Sequence, residues 1–330
     1  MPSRLREGVS VSTLLEVRNL SKFFKVAAGE LHAVDNISFS IEAGQTLGIV
    51  GESGCGKSTL GRVILRLHEP TGGRILFQDM DITAFSREEM RQMRQYMQMI
   101  FQDPYASLDP RLTISQSIEE PIRVFQPHTS AEERRRRVEE LMDLVGLSKR
   151  NFNAYPHEFD GGRRQRVVIA RTLAVDPRFV VCDEPVSALD VSVQAQILNL
   201  MMELQARLGL TYIFISHDLS VVRHISDHVG VMYLGQLVEY TDKETLFQNP
   251  MHPYSKALLS AIPSVDLDCP RERVLLKGEI TSPINPAPGC RFAPRCPYAD
   301  SACLGSDPPL AEVAPGHRVA CCKCRQLSQA

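Results

Sequence analysis

No apolar run in this 330-residue chain approaches the roughly 18 to 20 residues that a helix needs to cross a bilayer. A spanning segment is not expected, so any membrane role must come through partners. A basic excess is missing too. The 37 Lys and Arg stand against 39 Asp and Glu, a formal charge of −2, which argues against a general nucleic-acid binder. Met1 to Thr13 carries basic residues without an apolar segment of signal-peptide length, and secretion is not expected. Cysteine is nearly absent before residue 269, where only Cys55 and Cys182 occur, whereas the other seven lie at or beyond that position. That skew marks a separate C-terminal unit.

What is present is an ordinary globular composition, 43% hydrophobic and 23% charged, in a chain long enough for one large domain or two smaller ones. The organising stretch is Gly51-Glu52-Ser53-Gly54-Cys55-Gly56-Lys57-Ser58-Thr59, which fits the pattern of a glycine, four residues, then Gly-Lys-Ser/Thr. Thr46 to Val50 before it reads as a buried strand, and Leu60, Val63, Ile64 and Leu67 after it recur at helical spacing. Glycines at 51, 54 and 56 let the backbone turn with positive φ and gather N–H groups around an anion at a helix N-terminus. Lys57 is expected to reach the β- and γ-phosphates of a nucleotide, and the Ser58 hydroxyl to join the shell of Mg²⁺. A glycine-rich turn of no function is the bland reading, and the flanking strand and helix argue against it. Nine cysteines in a chain that uses intracellular nucleotide do not suggest a disulfide framework, and Cys55 and Cys182 read as small packing residues.

Along the rest of the chain, Leu15 to Leu20 and Ala33 to Ile41 alternate as strands do, with Ala27-Ala28-Gly29 as a loop between them. Phe23 and Phe24 are placed in the turn after the first strand, where an aromatic either stacks on an adenine face or makes a core contact. Gly72-Gly73 leads into a strand over Arg74 to Phe77, and Tyr96 to Phe101 is a short apolar run ending at Gln102-Asp103-Pro104. From about Asp103 to Pro156 the pattern is helical. Ser130 to Glu133 is a capping box, and Val138, Leu141, Met142 and Val145 form the apolar stripe of the helix it starts. Arg134 to Arg137 reads as a solvated face rather than a binding patch. Gly161-Gly162 opens another helix, and Phe179 to Cys182 is an apolar strand delivering Asp183 and Glu184 at its C-terminal end, where ligands bind in parallel α/β sheets. Val191 to Leu208 is an amphipathic helix, Thr211 to Ile215 a buried strand ending at Ser216-His217-Asp218, and Val229 to Tyr240 a further strand-like region. This alternation predicts an α/β fold whose parallel sheet is covered on both faces. After Pro250 proline is frequent and periodicity fades, so this segment lacks a core of its own unless something staples it.

Holding phosphates is not hydrolysing them. Phosphoryl transfer also needs a carboxylate that organises the metal, a group that orients or deprotonates water, and a sensor of the γ-phosphate. Asp183 suits the Mg²⁺ carboxylate, Glu184 is placed to polarise the attacking water, and Gln102 at a strand end can reach the metal. A lone histidine is more often structural. His217 follows an apolar strand beside Asp183 and Glu184, which favours donation to the γ-phosphate or the water.

These motifs together resemble the ATP-binding subunit of an ABC transporter. GESGCGKST resembles the Walker A loop, FVVCDE at 179 to 184 the Walker B strand with its catalytic glutamate, Ser187 to Asp190 the D-loop, Gln102 the Q-loop and His217 the switch histidine. Phe24 is the better match to the adenine-stacking aromatic. The resemblance covers residues 15 to 240 and implies a P-loop NTPase ABC-type nucleotide-binding domain, with an antiparallel β subdomain and a helical subdomain. The expected bounds are 14–250 for this domain, about 103–175 for the helical part, and 251–330 for a small Cys/Pro-rich C-terminal domain.

In that family two subunits close head to tail, and each ATP lies between one Walker A loop and the partner's signature, normally Leu-Ser-Gly-Gly-Gln. The matching stretch here is Phe159-Asp160-Gly161-Gly162-Arg163. Asp160 remains a good helix N-cap. Where the usual serine donates a hydroxyl to the γ-phosphate, however, a carboxylate repels it by roughly 4 kcal/mol at 4 Å and an effective dielectric of 20, unless Arg163 or Mg²⁺ offsets the charge. The site formed by this signature and the partner's Walker A is expected to be impaired, and this chain's own loop to work against the partner's signature.

In the tail, Cys290, Cys296, Cys303 and Cys321 are separated by five, six and seventeen residues. Zinc ribbons want two C-x-x-C pairs, and only Cys321 to Cys324 supplies one. Thiolates at irregular spacing suit an iron–sulfur cluster better. HPYSKALLSAIP at 252 to 263, SPINPAPGCRF at 282 to 292, PRC and PGHRVAC are similar to the C-terminal region of peptide-importer ATPases, in which four cysteines bind a 4Fe-4S cluster. Cys321 matches the fourth ligand, with Cys322 and Cys324 as nearby alternatives.

The resemblance implies ATP hydrolysis powering import of dipeptides or oligopeptides, at the cytoplasmic face of a bacterial inner membrane. The subtype looks like the second ATPase subunit of the peptide/nickel importer family. It implies a heterodimer with a related ATPase, two permease subunits and an extracytoplasmic peptide-binding protein, with no nucleic acid; coupling to the permeases is expected near Gln102. Related systems carry nickel, glutathione or other small solutes. Two rivals differ in class. A DNA- or ribosome-directed ABC ATPase would want two nucleotide domains or a coiled coil and a basic surface, whereas an iron–sulfur sensor module with vestigial ATPase activity would explain the altered signature.

Overall fold

The computed structural model describes residues 13–262, 274, 276, 278, 281–305 and 307–327; Cys269 and Pro263 lie outside them. Strands β1 (Thr13–Val26) and β2 (Gly29–Glu42) form a long antiparallel pair. Contrary to expectation, Phe23 and Phe24 lie within β1 rather than in a turn. The ladder to β2 re-forms after irregularities between Val17 and Phe23 and pairs these residues with His32 and Leu31. Backbone pairing thus continues where apolar alternation stops.

Strand β3 (Thr46–Val50) feeds the glycine loop into helix α1 (Lys57–Ile64). Strands β4 (Gly72–Phe77) and β5 (Met80–Asp81) complete an antiparallel sheet in the order β2-β1-β4-β5. A short helix α2 (Arg87–Met93), unforeseen from periodicity, starts at a capping box between Ser86 and Glu89. After β6 (Met97–Ile100) come helices α3 (Ile114–Phe125), α4 (Ala131–Leu144) and α5 (Gly161–Leu173). Ile114, Ile118 and Ile122 share one core with Val138, Leu141 and Met142, the i, i+4 stripes that make these helices one layer. Arg134 pairs with Glu119 of α3 at 2.6 Å and Arg135 with Glu139 at 3.0 Å, which gives the arginine run a solvated, ion-paired face.

The main sheet is built from β7 (Phe179–Asp183), β8 (Thr211–Ile215), β9 (His228–Tyr233), β10 (Gln236–Asp242), β11 (Ala311–Ala314) and β12 (His317–Val319), together with β3 and β6. Its order is β11-β12-β10-β9-β3-β8-β7-β6. The stretch from β9 to β6 is parallel. Helix α6 (Val191–Leu208) joins β7 to β8 and α7 (Leu219–Ile225) joins β8 to β9, while α8 (Lys243–Gln248), α9 (Pro253–Ser260) and α10 (Cys324–Leu327) follow the hairpin strands and tail.

Successive residues of the parallel strands enter different cores. Val180, Cys182, Tyr212 and Phe214 join the helical core, whereas Phe179, Val181, Ile213 and Ile215 join the core shared with the antiparallel sheet. Both faces are therefore covered, which is why these strands read as unbroken apolar runs. The region expected as one strand over 229 to 240 is a hairpin, turned at Leu234 and Gly235 with φ of 41° and 83°.

The proline-rich tail borrows a core instead of building one. Phe292 is buried against Tyr233 and Tyr254 at ring separations of 5.3 and 5.4 Å, and β12 pairs with β10 to extend the sheet. Among the described residues, no helix is long and apolar enough to cross a membrane.

Candidate functional site

The loop from 51 to 56 is shaped by what cannot be there. A Cβ on Gly51, at φ +155°, would stand 2.1 Å from the Met232 carbonyl, and one on Gly56, at φ +103°, 2.0 Å from the Ala33 carbonyl. Strand and hairpin backbones thus press the loop into its curve, and only glycine fits. Helix α1 begins after Gly56 with no side-chain cap, so its first N–H groups face the loop. Lys57 is buried, and its ammonium donates to the Gly51 carbonyl at 2.8 Å and the Glu52 carbonyl at 3.0 Å.

A cavity of about 540 Å³ opens over this loop, a size typical of a small-molecule site. Ser53, Gly54, Cys55, Gly56, Lys57, Ser58 and Thr59 line it, with Gln102, Glu184, His217 and Phe24. Sequence reasoning missed Leu31, His32, Ala33, Gly235 and Pro283, which line it too. They arrive from β2, from the hairpin turn and from the tail, and no motif spacing signals such long-range neighbours. Phe23 stacks on His32 at 4.0 Å, and Lys22 places its ammonium over the Phe24 ring at 4.8 Å.

At the other end of the cavity three elements converge on one carboxylate. Gln102, just past β6, donates its amide to Glu184 Oε2 at 2.9 Å, and His217 Nδ1, just past β8, lies 3.2 Å from Glu184 Oε1. Glu184 itself has φ of 47°, a left-handed backbone that costs energy for a residue with a side chain. Its N–H is held by the Ile215 carbonyl at 3.0 Å. The turn thereby aims the side chain into the cavity rather than along the strand.

Beside it, the Ser58 hydroxyl donates to Asp183 Oδ1 at 2.6 Å, while Arg62 stands 3.9 Å from Oδ2. Burial pushes the Asp183 carboxyl up, against the Ser58 hydrogen bond and the Arg62 charge. Hydroxyl, carboxylate and the nearby Gln102 amide are the hard oxygen donors that Mg²⁺ takes, so the residues fit that ion.

Asp160, Gly161, Gly162 and Asp190 are not among the residues lining this cavity. Asp160 caps α5, accepting from Arg163 N at 2.8 Å and from Arg163 Nε at 2.7 Å. The glycine pair allows close approach to the start of α6, since a Cβ at 161 would meet Leu189 at 2.9 Å and one at 162 would meet Val193 at 2.6 Å. Asp190 is the N-cap residue of α6 but makes no side-chain cap bond.

A second, small cavity of about 10 Å³ is lined by Cys290, Cys296, Cys303, Cys321 and Cys322. Burial pushes the Cys290 and Cys321 thiols up to about 11. Among the described residues, no three His, Cys, Asp or Glu stand close enough together to hold a single metal ion. A four-iron cluster holds its thiolates farther apart than one ion does, and the donor set is the one such a cluster takes. Cys324 is not among the residues lining this cavity; its thiol donates to the Cys321 carbonyl at 3.2 Å.

Comparison with known proteins agrees with this architecture. The family model described as ABC transporter matches residues 34–187, and the one described as Oligopeptide/dipeptide transporter, C-terminal region, matches residues 238–303. The chain is 53% identical over 319 residues to the oligopeptide transport ATP-binding protein AppF of Bacillus subtilis, covering 94% of this chain and 97% of that one. It is similar to the ATP-binding cassette MJ0796, solved as a post-hydrolysis dimer with ADP and Pi, at TM-score 0.64 and 29% identity, over 69% of this chain and 98% of that one. It is also similar to cbiO1 of Clostridium perfringens, part of the transporter complex cbiONQ, at TM-score 0.65 and 29% identity, over 72% of this chain and 91% of that one. With a full-length relative this similar and the nucleotide loop in place, the protein belongs to the ATP-binding proteins of ABC transporters, in the oligopeptide/dipeptide group, and is an ATPase.

Proposed function

We propose that this ATPase powers import of dipeptides or oligopeptides through a membrane complex with two permease subunits and an extracytoplasmic peptide-binding protein, lying peripherally on the cytoplasmic face of a bacterial inner membrane. The observation that carries the reading is the convergence of Gln102, Glu184 and His217 on the cavity above Lys57 and Ser58, in a chain whose C-terminal region matches the oligopeptide/dipeptide description. In this reading Lys57 and the loop N–H groups hold the phosphates, while Ser58, Asp183 and Gln102 hold Mg²⁺. Glu184 polarises the water, His217 senses the γ-phosphate, and Phe24 stacks on the base. The nucleotide-binding domain spans 14–250, with its helical part at about 103–175, and 251–330 forms the peptide-importer region.

Asp160, Gly161, Gly162 and Asp190 serve the partner's nucleotide, which accounts for their absence from the chain's own cavity. Supporting a two-subunit site is the dimer in which MJ0796 was solved. The partner is a related ATPase, and the two sites are unequal. Arg163 neutralises Asp160, so charge repulsion is not the main defect; the defect is the missing hydroxyl donor, since a carboxylate tied to the helix N-cap cannot donate. Cys290, Cys296, Cys303 and Cys321 hold a 4Fe-4S cluster, which the shared cavity supports.

The test is reconstitution with the permeases and binding protein, measuring peptide-stimulated ATPase and uptake. Abolished uptake with Glu184→Gln supports transport. Unchanged uptake would favour the iron–sulfur sensor reading instead.

A further inference from the structure

Glu52 occupies the second position of the phosphate loop yet does not line the nucleotide cavity. All its polar groups are engaged elsewhere. Its N–H donates to the Tyr254 hydroxyl at 2.9 Å. Its carboxylate accepts from both ends of the Arg295 guanidinium, Nη1 to Oε2 at 2.8 Å and Nη2 to Oε1 at 3.2 Å. Its carbonyl accepts from Lys57. Two of these three partners come from more than 200 residues away in sequence, at separations of 202 and 243.

Both distant partners are rigidly set. Tyr254 is fully buried, with its ring edge-on to Tyr233 at 4.8 Å. The Arg295 side chain is only 9% exposed and its N–H is tied back to the Phe292 carbonyl at 3.0 Å. A planar fork on a carboxylate fixes direction as well as distance. The same tail also reaches other walls of the cavity. Arg291 bonds the Leu234 carbonyl and the Asp35 carboxylate, and the Pro283 carbonyl accepts from His32 N at 3.0 Å.

A loop with glycines at 51, 54 and 56 that gathers its N–H groups toward one point has two reasons to relax when no anion is present. Like-oriented dipoles repel, and glycine has more conformational freedom to regain than any other residue. An external hold on Glu52 removes that freedom before ATP arrives, and less ordering is then left for binding to supply.

We propose that Arg295 and Tyr254 are positioning residues for the phosphate loop: by fixing Glu52 they keep the loop in its anion-accepting shape, so the C-terminal region sets the affinity for ATP without touching it. The inference rests on the reading of residues 51–59 as the phosphate loop.

The experiment titrates ATP·Mg²⁺ by calorimetry against the full chain carrying Arg295→Gln, Glu52→Gln, both together, Arg295→Lys or Tyr254→Phe, with Lys57→Ala as reference and a thermal melt on each. Breaking the fork is expected to weaken ATP binding roughly tenfold in either single variant and no further in the double. In the assembled transporter KM for ATP rises in step while kcat moves less than about twofold, because the fork acts on binding rather than on the reacting atoms. Arg295→Lys restores part of the loss through a single contact. Tyr254→Phe removes one oxygen and keeps the question open to test if Arg295→Gln does not fold. Unchanged ATP affinity in the Glu52, Arg295 and Tyr254 variants, or additive losses in the double, overturns the inference while Lys57→Ala still abolishes binding. Wild-type binding by Lys57→Ala would instead overturn the reading of the loop itself.

Discussion

The Gln102 amide donates to Glu184 Oε2 at 2.9 Å, so the residue that follows β6 holds the carboxylate that follows β7. His217 Nδ1 stands 3.2 Å from the other oxygen, so each Glu184 oxygen has one such partner. Each oxygen keeps a second lone pair, on which a water can be polarised. Under the proposed roles, Glu184→Gln lowers ATP turnover by about 10² to 10⁴ and leaves ATP binding intact, because the amide keeps the side chain's size and shape but cannot take a proton. Gln102→Ala loses about tenfold, the worth of one hydrogen bond. Single-turnover hydrolysis beside equilibrium ATP binding separates the two effects.

Signature repair is the second prediction. Asp160→Ser with Arg163→Gln replaces a capping carboxylate by a capping hydroxyl, so helix α5 keeps its N-cap and stability changes by less than about 1 kcal/mol. The freed hydroxyl is then a donor for a phosphate across the interface. ATPase of the complete complex is expected to rise; unchanged turnover would show that the altered signature costs nothing.

How much of this was legible beforehand follows from where each cue resides. Glu184, His217 and Gln102 each stand within two residues of the end of an apolar strand, and strands with both faces covered announce themselves as continuous runs, so the ends that carry chemistry could be placed. Phe24 was mislocated because its strand is continued by backbone pairing to β2, which leaves no trace in side-chain alternation. The Leu234–Gly235 turn was hidden inside an apolar stretch, since the strands on both sides of it are buried. The tail looked coreless because its anchors are Phe292 and Tyr254, single residues whose partner Tyr233 lies in another part of the chain. Arg295 carried no signal at all, for a charge pair spanning 243 residues has no local pattern.

A third prediction concerns pH. Glu239 is fully buried in β10, where burial alone would push its carboxyl up. The His317 imidazole at 2.7 Å, Met251 N at 2.8 Å and His252 N at 3.0 Å outweigh that effect and hold it below the usual 4.5. A depressed carboxyl contributes stability that is present above its unfolded value and is lost as pH falls through the folded one. The attachment of β12 and α9 to β10 should therefore weaken below about pH 4.5, on top of a loss that begins below about pH 6.5, where His252, pushed down to about 4 by burial, must charge. Glu239→Ala should cost about 3 kcal/mol at neutral pH. Thermal melts from pH 8 to pH 4, with limited proteolysis of the tail, read both.

The cysteines supply the last prediction. Cys290 and Cys296 bracket the segment whose two arginines reach Asp35 and Glu52, while Cys303 and Cys321 come from later turns to line the same small cavity. The proposed cluster reading makes these four thiols its ligands. Anaerobically purified protein should carry about four irons and four sulfides per chain and absorb in the visible, and Cys321→Ser should lose most of both. Cys324→Ser should lose little, because that thiol donates to the Cys321 carbonyl and does not line the cavity. Cys322 does line it, and its thiol stands 3.5 Å from that of Cys303, so Cys322→Ser is the discriminating variant. Iron kept in Cys322→Ser and lost in Cys321→Ser assigns the fourth ligand to Cys321, and the reverse assigns it to Cys322. A colourless, zinc-loaded wild type would refute the cluster.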